Sequence, residues 1–156
     1  MQTIWITGGS SGIGFATAKE FINNNWQVVI SSSNKIKLES AKKKLELNNN
    51  KNLVHAIVCD ISSKKNVDET INSIEKNIGK IDIALLNASA YSPNKNQIFD
   101  ISNYELLVDV NIKGTLYCVN KLKDVMKNRN NTIAIISSPL GSVSYTHLTL
   151  PTSAIV

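Results

Sequence analysis

The stretch Thr7-Gly8-Gly9-Ser10-Ser11-Gly12-Ile13-Gly14 constrains this chain more than any other. A short apolar run, Thr3-Ile4-Trp5-Ile6, precedes it and reads as a buried strand, while Ala18, Phe21 and Ile22 recur after it on one face of a helix. Strand, glycine-rich turn and helix together make a phosphate cradle. Gly8 frees the chain to turn sharply off the strand, Gly12 removes a Cβ from the path of an approaching anion, and Gly14 lets the helix pack close to the sheet. Ser10, Ser11, Gly12 and Ile13 would then meet that anion at the positive end of the helix. Tight packing alone also produces such turns, so the meaning of this one depends on the segments that follow. A P-loop is excluded, because no Gly-Lys-Ser/Thr completes the motif.

The remaining composition narrows the class of protein. The chain has 156 residues, enough for one domain, and 42% of them are hydrophobic, enough for a core. Its net charge of +5 comes from lysines scattered among asparagines and serines, with neither an arginine cluster nor interleaved aromatics. That pattern reads as a solvated surface and gives no sign of a nucleic-acid partner. Cys59 and Cys118 sit in separate apolar patterns and read as small core residues in a reducing compartment. His55 and His147 have no ligand spacing with each other or with the cysteines, so no metal is assigned. No run approaches the length of a membrane span and no basic leader opens the chain, which leaves a cytoplasmic protein as the expectation.

Strands and helices alternate along the sequence. Residues 26–30 read as a second strand, followed by Ser31, Ser32, Ser33 and Asn34 and by a helix over 35–47 with Leu38, Ala41 and Leu45 on one face. A third strand covers 53–59 and ends at Asp60; Ser62 or Ser63 then caps a helix carrying Val67, Ile71, Ile74 and Ile78, which Gly79 stops. A fourth strand spans 81–86. Ser102 and Glu105 form a capping box that opens one long helix to about residue 127, and a fifth strand runs over 132–136. This alternation implies an α/β fold, a doubly wound parallel sheet of order 3-2-1-4-5 with helices on both faces. Ligands of such sheets bind beyond the carboxyl ends of the strands.

TGxxxGIG after an N-terminal strand resembles the short-chain dehydrogenase/reductase family, and its spacing differs from the GxGxxG of the general dinucleotide fingerprint. Four further positions match that family in order. Asp60, followed by Ile61, resembles the aspartate whose carboxylate accepts a hydrogen bond from the adenine amino group. Leu86-Asn87-Ala88-Ser89 resembles an Asn-Asn-Ala-Gly segment that steadies the sheet and passes close to the adenine ribose, with Leu86 in place of the first Asn and Ser89 in place of Gly. Asn111 resembles the asparagine that ties a water into a proton relay; an asparagine within a helix is unfavourable unless its amide is engaged. Ser138 resembles the catalytic serine that hydrogen-bonds the substrate oxygen, with Gly141 in its expected place. The resemblance covers residues 3–141. It implies a Rossmann-like fold, hydride transfer between a nicotinamide coenzyme and a small carbonyl or alcohol substrate, and a full-length homo-oligomer.

The family's general acid/base is a tyrosine whose pKa is lowered by the lysine of a YxxxK motif. The corresponding window holds Leu150, Pro151 and Thr152, and Tyr145 comes too early, with Thr149 where a lysine would stand. Tyr91-Ser92-Pro93-Asn94-Lys95 fits the pattern but precedes Ser138 and reads as a chance match. Residues 143–156 contain no Lys, Asn, Asp or Glu, and the run over 143–152 looks like the read-through translation of a transposon adapter used in sequencing libraries. Residues 1–142 are therefore expected to form an NAD(P)-binding domain truncated before strand six, and 143–156 a non-native tail. Such a fragment would turn over little or nothing, and 133–136 would be an exposed apolar sheet edge.

An acid at the end of strand two would accept hydrogen bonds from the ribose of NAD and repel a 2′-phosphate. That corner has none, which favours NADP over NAD with Ser33 and Lys35 as contacts. The alternative is a dinucleotide-binding module without chemistry, in which Asn111 and Ser138 have no role. A methyltransferase-like Rossmann domain is disfavoured by the glycine spacing and by the same missing acid.

Overall fold

A computed structural model of the chain describes residues 1–47, 52–91, 101–127 and 129–137. Five parallel strands form one sheet, β1 (Thr3–Thr7), β2 (Gln27–Ser32), β3 (Val54–Val58), β4 (Ile81–Leu86) and β5 (Thr132–Ile135), in the expected order β3-β2-β1-β4-β5. Between them run α1 (Gly12–Asn23), α2 (Lys35–Leu45) and α3 (Lys64–Asn77), then α4 (Ile101–Leu107), a π-helical segment (Val108–Gly114) and α5 (Thr115–Val125).

The period of two in the strands assigns the helices to their faces. Ile4 and Ile6 of β1 pack with Ala18 and Ile22 of α1 and with Leu38, Ala41 and Leu45 of α2. Trp5, between them in sequence, points the other way and packs with Val67, Ile71 and Ile74 of α3 and with Cys118 and Leu122 of α5. Both cysteines are buried and free. Burial, and then the neighbouring Cys59, push the Cys118 thiol up to about 12, so it stays protonated and acts as a small apolar group.

Alternation breaks once, in β4. Thr3 pairs with Ile81 but Ile4 pairs with Ile83, so Asp82 is an inserted residue. Ile81 consequently shares the α3/α5 layer with Ala84 and Leu86, while Ile83 and Leu85 face α1 and α2. The Asp82 carboxylate uses the irregularity, accepting the Thr3 amide at 2.8 Å where β1 begins.

Several boundaries differ from the expected ones. β2 continues through Ser31 and Ser32 because the Trp5 indole N–H donates to Ser31 Oγ at 3.1 Å, which gives a buried hydroxyl a partner. α2 ends at Leu45, and Asn34 caps it by accepting the Lys37 amide. Ser63, not Ser62, caps α3. The single long helix of the sequence reading is three segments, and Ser102 lies inside α4 rather than before it. Among the described residues β5 is the outer strand on one side of the sheet; Ile136 extends its pairing to the Leu86 carbonyl, and Ile135 and Ile136 are exposed. Among the described residues no helix is long and apolar enough to cross a membrane, and no cluster of acid, His and Cys side chains could hold a metal ion.

At the end of the sheet away from the glycine turn, Glu75 joins three segments. Its carboxylate accepts the Ile81 amide at 2.8 Å and Arg129 Nη2 at 3.1 Å, and lies 3.3 Å from Lys80 Nζ. Burial pushes this carboxyl up, but the Arg129 guanidinium, the Ile81 amide and Lys80 outweigh it and hold it below its ordinary value of 4.5. Replacing Glu75 with Gln is expected to lower stability by about 1–2 kcal/mol at neutral pH, measured by urea unfolding. Because the folded-state value is depressed, this contribution is complete above the ordinary value and fades as pH falls through the folded one. Wild type should therefore lose stability on acidification more steeply than Glu75→Gln.

Candidate functional site

The strand order reverses between β1 and β4, and the carboxyl ends of these two strands are tied by a compact set of hydrogen bonds. Thr7 Oγ1 accepts the amides of Asn87 at 2.9 Å and Ala88 at 3.0 Å. Asn87 Nδ2 returns two bonds, to the carbonyls of Thr7 at 3.1 Å and Gly8 at 3.2 Å. The side chain of Asn87 is thus spent on fixing the glycine turn to β4.

Within that turn Gly8 and Gly12 have φ of +66° and +55°, the left-handed region that side chains rarely adopt. A Cβ on Gly8 would also lie 2.8 Å from Ala88 Cα, whereas one on Gly12 would meet nothing within 4 Å among the described residues. The close approach expected of Gly14 is real, but its contacts are the Gly8 carbonyl and Asn87 Nδ2, each 2.7 Å from a Cβ placed there. Gly9, to which the sequence reading gave no role, packs against Ile30 and donates its amide to the Ser31 carbonyl at 3.1 Å.

A cleft of about 530 Å3 opens over this turn. Gly8, Ser10, Ser11, Gly12 and Ile13 form one wall; Asp60 and Ile61 after β3, and Asn87, Ala88 and Ser89 after β4, form others. Ser11 is the N-cap of α1 in extended conformation, yet its side chain makes no cap bond, unlike Asn34 on α2 and Ser63 on α3. Among the described residues the first-turn amides of α1 have no side-chain acceptor at the edge of the cleft. Asp60, which also lines the cleft, accepts the Ser62 amide at 3.0 Å and hydroxyl at 2.7 Å through Oδ1, which orients the carboxylate.

The corner after β2 departs from expectation in one residue. Ser33 lines the cleft; Lys35 does not, and its ammonium lies 3.9 Å from Glu39. Lys37, two residues further along α2, lines the cleft instead. Ser31, Ser32, Asn34, Cys59 and Val110 also line it without having been singled out from sequence. Lys37 and Ser31 carried a signal, since each lies two residues from a residue that was named.

Asn111 lies in the π-helical segment, outside the cleft wall, and clamps Ala90 from both sides: Oδ1 accepts the Ala90 amide at 2.7 Å and Nδ2 donates to its carbonyl at 3.0 Å. The side chain is therefore engaged, as an asparagine within a helix requires, but with the main chain after β4. Ser138 and the whole of 138–156 lie outside the described residues. Thr7→Val is expected to lower stability by about 2–3 kcal/mol, since two amides lose their acceptor, and Thr7→Ser to stay within about 1 kcal/mol of wild type, by chemical denaturation.

Comparison with known proteins agrees with this geometry. A sequence model described as short chain dehydrogenase matches residues 2–154. An uncharacterized oxidoreductase of Staphylococcus saprophyticus is 30% identical over 126 residues, covering 81% of this chain and 53% of that protein. Another, from Staphylococcus aureus strain USA300, is 32% identical over 112 residues, covering 72% and 47%. The chain thus spans about half the length of the curated relatives it matches. Among solved structures, a short chain dehydrogenase from Bacillus anthracis superposes with a TM-score of 0.81 at 24% identity, covering 92% of this chain and 58% of that one. Serine dehydrogenase from Escherichia coli gives 0.77 at 24%, covering 92% and 65%. At these identities the structures share the fold; combined with the family-wide sequence match, they show that the chain belongs to the short-chain dehydrogenase family.

Proposed function

We propose that this chain is the coenzyme-binding portion of a short-chain oxidoreductase that moves a hydride between a nicotinamide dinucleotide and a carbonyl or alcohol. The observation that carries the reading is the uncapped start of α1, set on a left-handed glycine turn at the edge of the large cleft. Main-chain amides there match a diphosphate in charge and in hydrogen-bond sense. Gly12 leaves room for it, because a Cβ at that position has no neighbour within 4 Å among the described residues.

In this reading Asp60 receives the adenine amino group, Ile61 and Ala88 flank the adenosine, and Ser89 faces the ribose. Ser33 contributes at the acid-free end of β2, consistent with NADP being preferred over NAD. The nicotinamide, when bound, supplies or accepts the hydride; Ser138 hydrogen-bonds the substrate oxygen. Asn111 acts by holding Ala90, and so the segment after β4, in place. Residues 143–156 form a non-native tail in this reading, and no tyrosine after Ser138 is followed four residues later by a lysine. Lacking a positioned general acid/base, the chain is expected to turn over about a hundred- to ten-thousandfold more slowly than an extended form that has one.

Titration of reduced coenzyme into the full chain, followed by calorimetry, tests the central step. Saturable binding is expected, weakened at least about tenfold by Gly12→Val, which combines positive-φ strain with a side chain in the open space. Unchanged affinity in Gly12→Val would remove the diphosphate from this turn. Sequencing intact DNA past the Ser142 codon should reveal an open frame carrying YxxxK, and a genomic stop codon directly after Val156 would contradict the tail assignment.

A further inference from the structure

A line of hydrogen bonds crosses the amino end of the sheet, away from the cleft, and joins β4, β1, β2 and β3. Asp82 on β4 accepts the Thr3 amide of β1 at 2.8 Å. The Thr3 hydroxyl donates to Gln27 Oε1 on β2 at 3.3 Å, and Gln27 Nε2 lies 3.2 Å from Nε2 of His55 on β3. Thr3 and Gln27 are register partners, and His55 pairs with Val29, one alternation further along, so the three side chains stand on one face of the sheet. The turn after α3 covers them: a Cβ on Gly79 would lie 2.9 Å from Thr3 Oγ1 and 3.2 Å from Gln27 Oε1.

Each link fixes the chemistry of the next. With Oε1 taken by the Thr3 hydroxyl, the Gln27 amide presents Nε2 to His55, and an amide nitrogen can only donate. His55 Nε2 must therefore accept. That role is open to the neutral imidazole with its proton on Nδ1 and closed to the imidazolium, in which both nitrogens carry hydrogens. Protonation would set N–H against N–H. The surroundings oppose it too: burial, and then the charge of Lys42 on α2, hold His55 below its ordinary value of 6.5.

The other charged groups on the neighbouring elements are engaged elsewhere. Lys42 Nζ is 3.2 Å from Glu46 on α2, and Glu69 of α3, which shares a groove with Ile57 and Val58, is 3.8 Å from Lys65. Asp82 is spent on the Thr3 amide, and Glu75 on Arg129, Lys80 and the Ile81 amide. Among the described residues β3 is an outer strand, paired with β2 alone. Near His55 the Val28 amide donates to the Leu53 carbonyl at 2.7 Å, and at the other end of β3 the Cys59 amide donates to the Ser32 carbonyl at 3.1 Å. Cys59, Asp60 and Ile61 then line the cleft, so the site depends on a strand that this line holds in place.

We propose that the line from Asp82 through Thr3 and Gln27 to His55 is an acid-sensitive latch: with His55 neutral it holds the amino end of β3 on the sheet, and protonation of His55 releases that end while the cleft end stays paired. Because the fold disfavours the imidazolium, the latch is complete above the ordinary histidine value and is lost as pH falls below it and through the folded-state one. Glu75 is held below 4.5 and stays ionised over the upper part of that window, so the two effects separate.

Amide hydrogen exchange of the full 156-residue chain, corrected for the intrinsic rates, tests the latch between about pH 7.5 and about pH 5.5. Exchange at Val28 relative to Cys59 is expected to rise about fivefold on acidification, the factor that corresponds to one lost hydrogen bond. Gln27→Leu should show the raised ratio at both pH values, and His55→Gln, which keeps an uncharged hydrogen-bonding side chain, should show no pH dependence. A pH-independent ratio in wild type, or the same rise in His55→Gln, overturns the proposal. Nitrogen NMR of the His55 ring in wild type needs no variant to fold: an unprotonated Nε2 and a titration midpoint below 6.5 are expected, and a ring protonated on Nε2 at neutral pH, or a midpoint at or above 6.5, overturns it as well.

Discussion

The hydroxyl of Thr7 is the point on which the site depends. It accepts the main-chain amides of Asn87 and Ala88, and the Asn87 side chain answers by donating to the carbonyls of Thr7 and Gly8. Two parallel strands that are far apart in sequence are thereby locked together at the place where the strand order reverses. The glycine turn hangs from this lock: Gly8 packs on Ala88, and Gly14 packs on the Gly8 carbonyl and Asn87. Any side chain at either glycine would pry the turn from β4. Partly buried hydrogen bonds of this kind contribute only about 1 kcal/mol each when made, but more when broken, so the arrangement holds position more than it adds net stability.

Electrostatics then divides the sheet into two ends with different tasks. At the end opposite the turn, Glu75 gathers Arg129, Lys80 and the Ile81 amide into a compensated knot that ties α3, β4 and the approach to β5. At the turn, compensation is withheld. α1 starts without a side-chain cap, and Lys37, which lines the cleft, has no ion pair among the described residues. Stability is concentrated where no ligand is expected, and uncommitted donors and cations where one is.

The fold was largely legible because it follows from periodicity. Alternate residues Ile4, Trp5 and Ile6 assign three positions to two layers, and the repeat of Val67, Ile71 and Ile74 marks the face of α3. What was not legible involves partners distant in sequence. Ser31 belongs to β2 because of Trp5, a contact no local pattern encodes. The long helix is interrupted by a π-helical segment around Asn111, whose amide is held by Ala90. Asp82 shifts the register of β4 while looking like an ordinary polar residue in an alternating strand. At the cleft, Gly8, Gly12, Asp60 and Asn87 were visible in their order, whereas nothing local marked Lys37 as a lining residue in place of Lys35.

Residue-resolved amide hydrogen exchange, with and without NADPH, tests the account most directly. The amides of Gly12, Ile13 and Gly14 at the uncapped start of α1 are predicted to slow markedly on binding, while those of Asn87 and Ala88, already bonded to Thr7, change little. Saturable binding that leaves the α1 amides exchanging at their free rate, with protection appearing elsewhere in the chain, would contradict it.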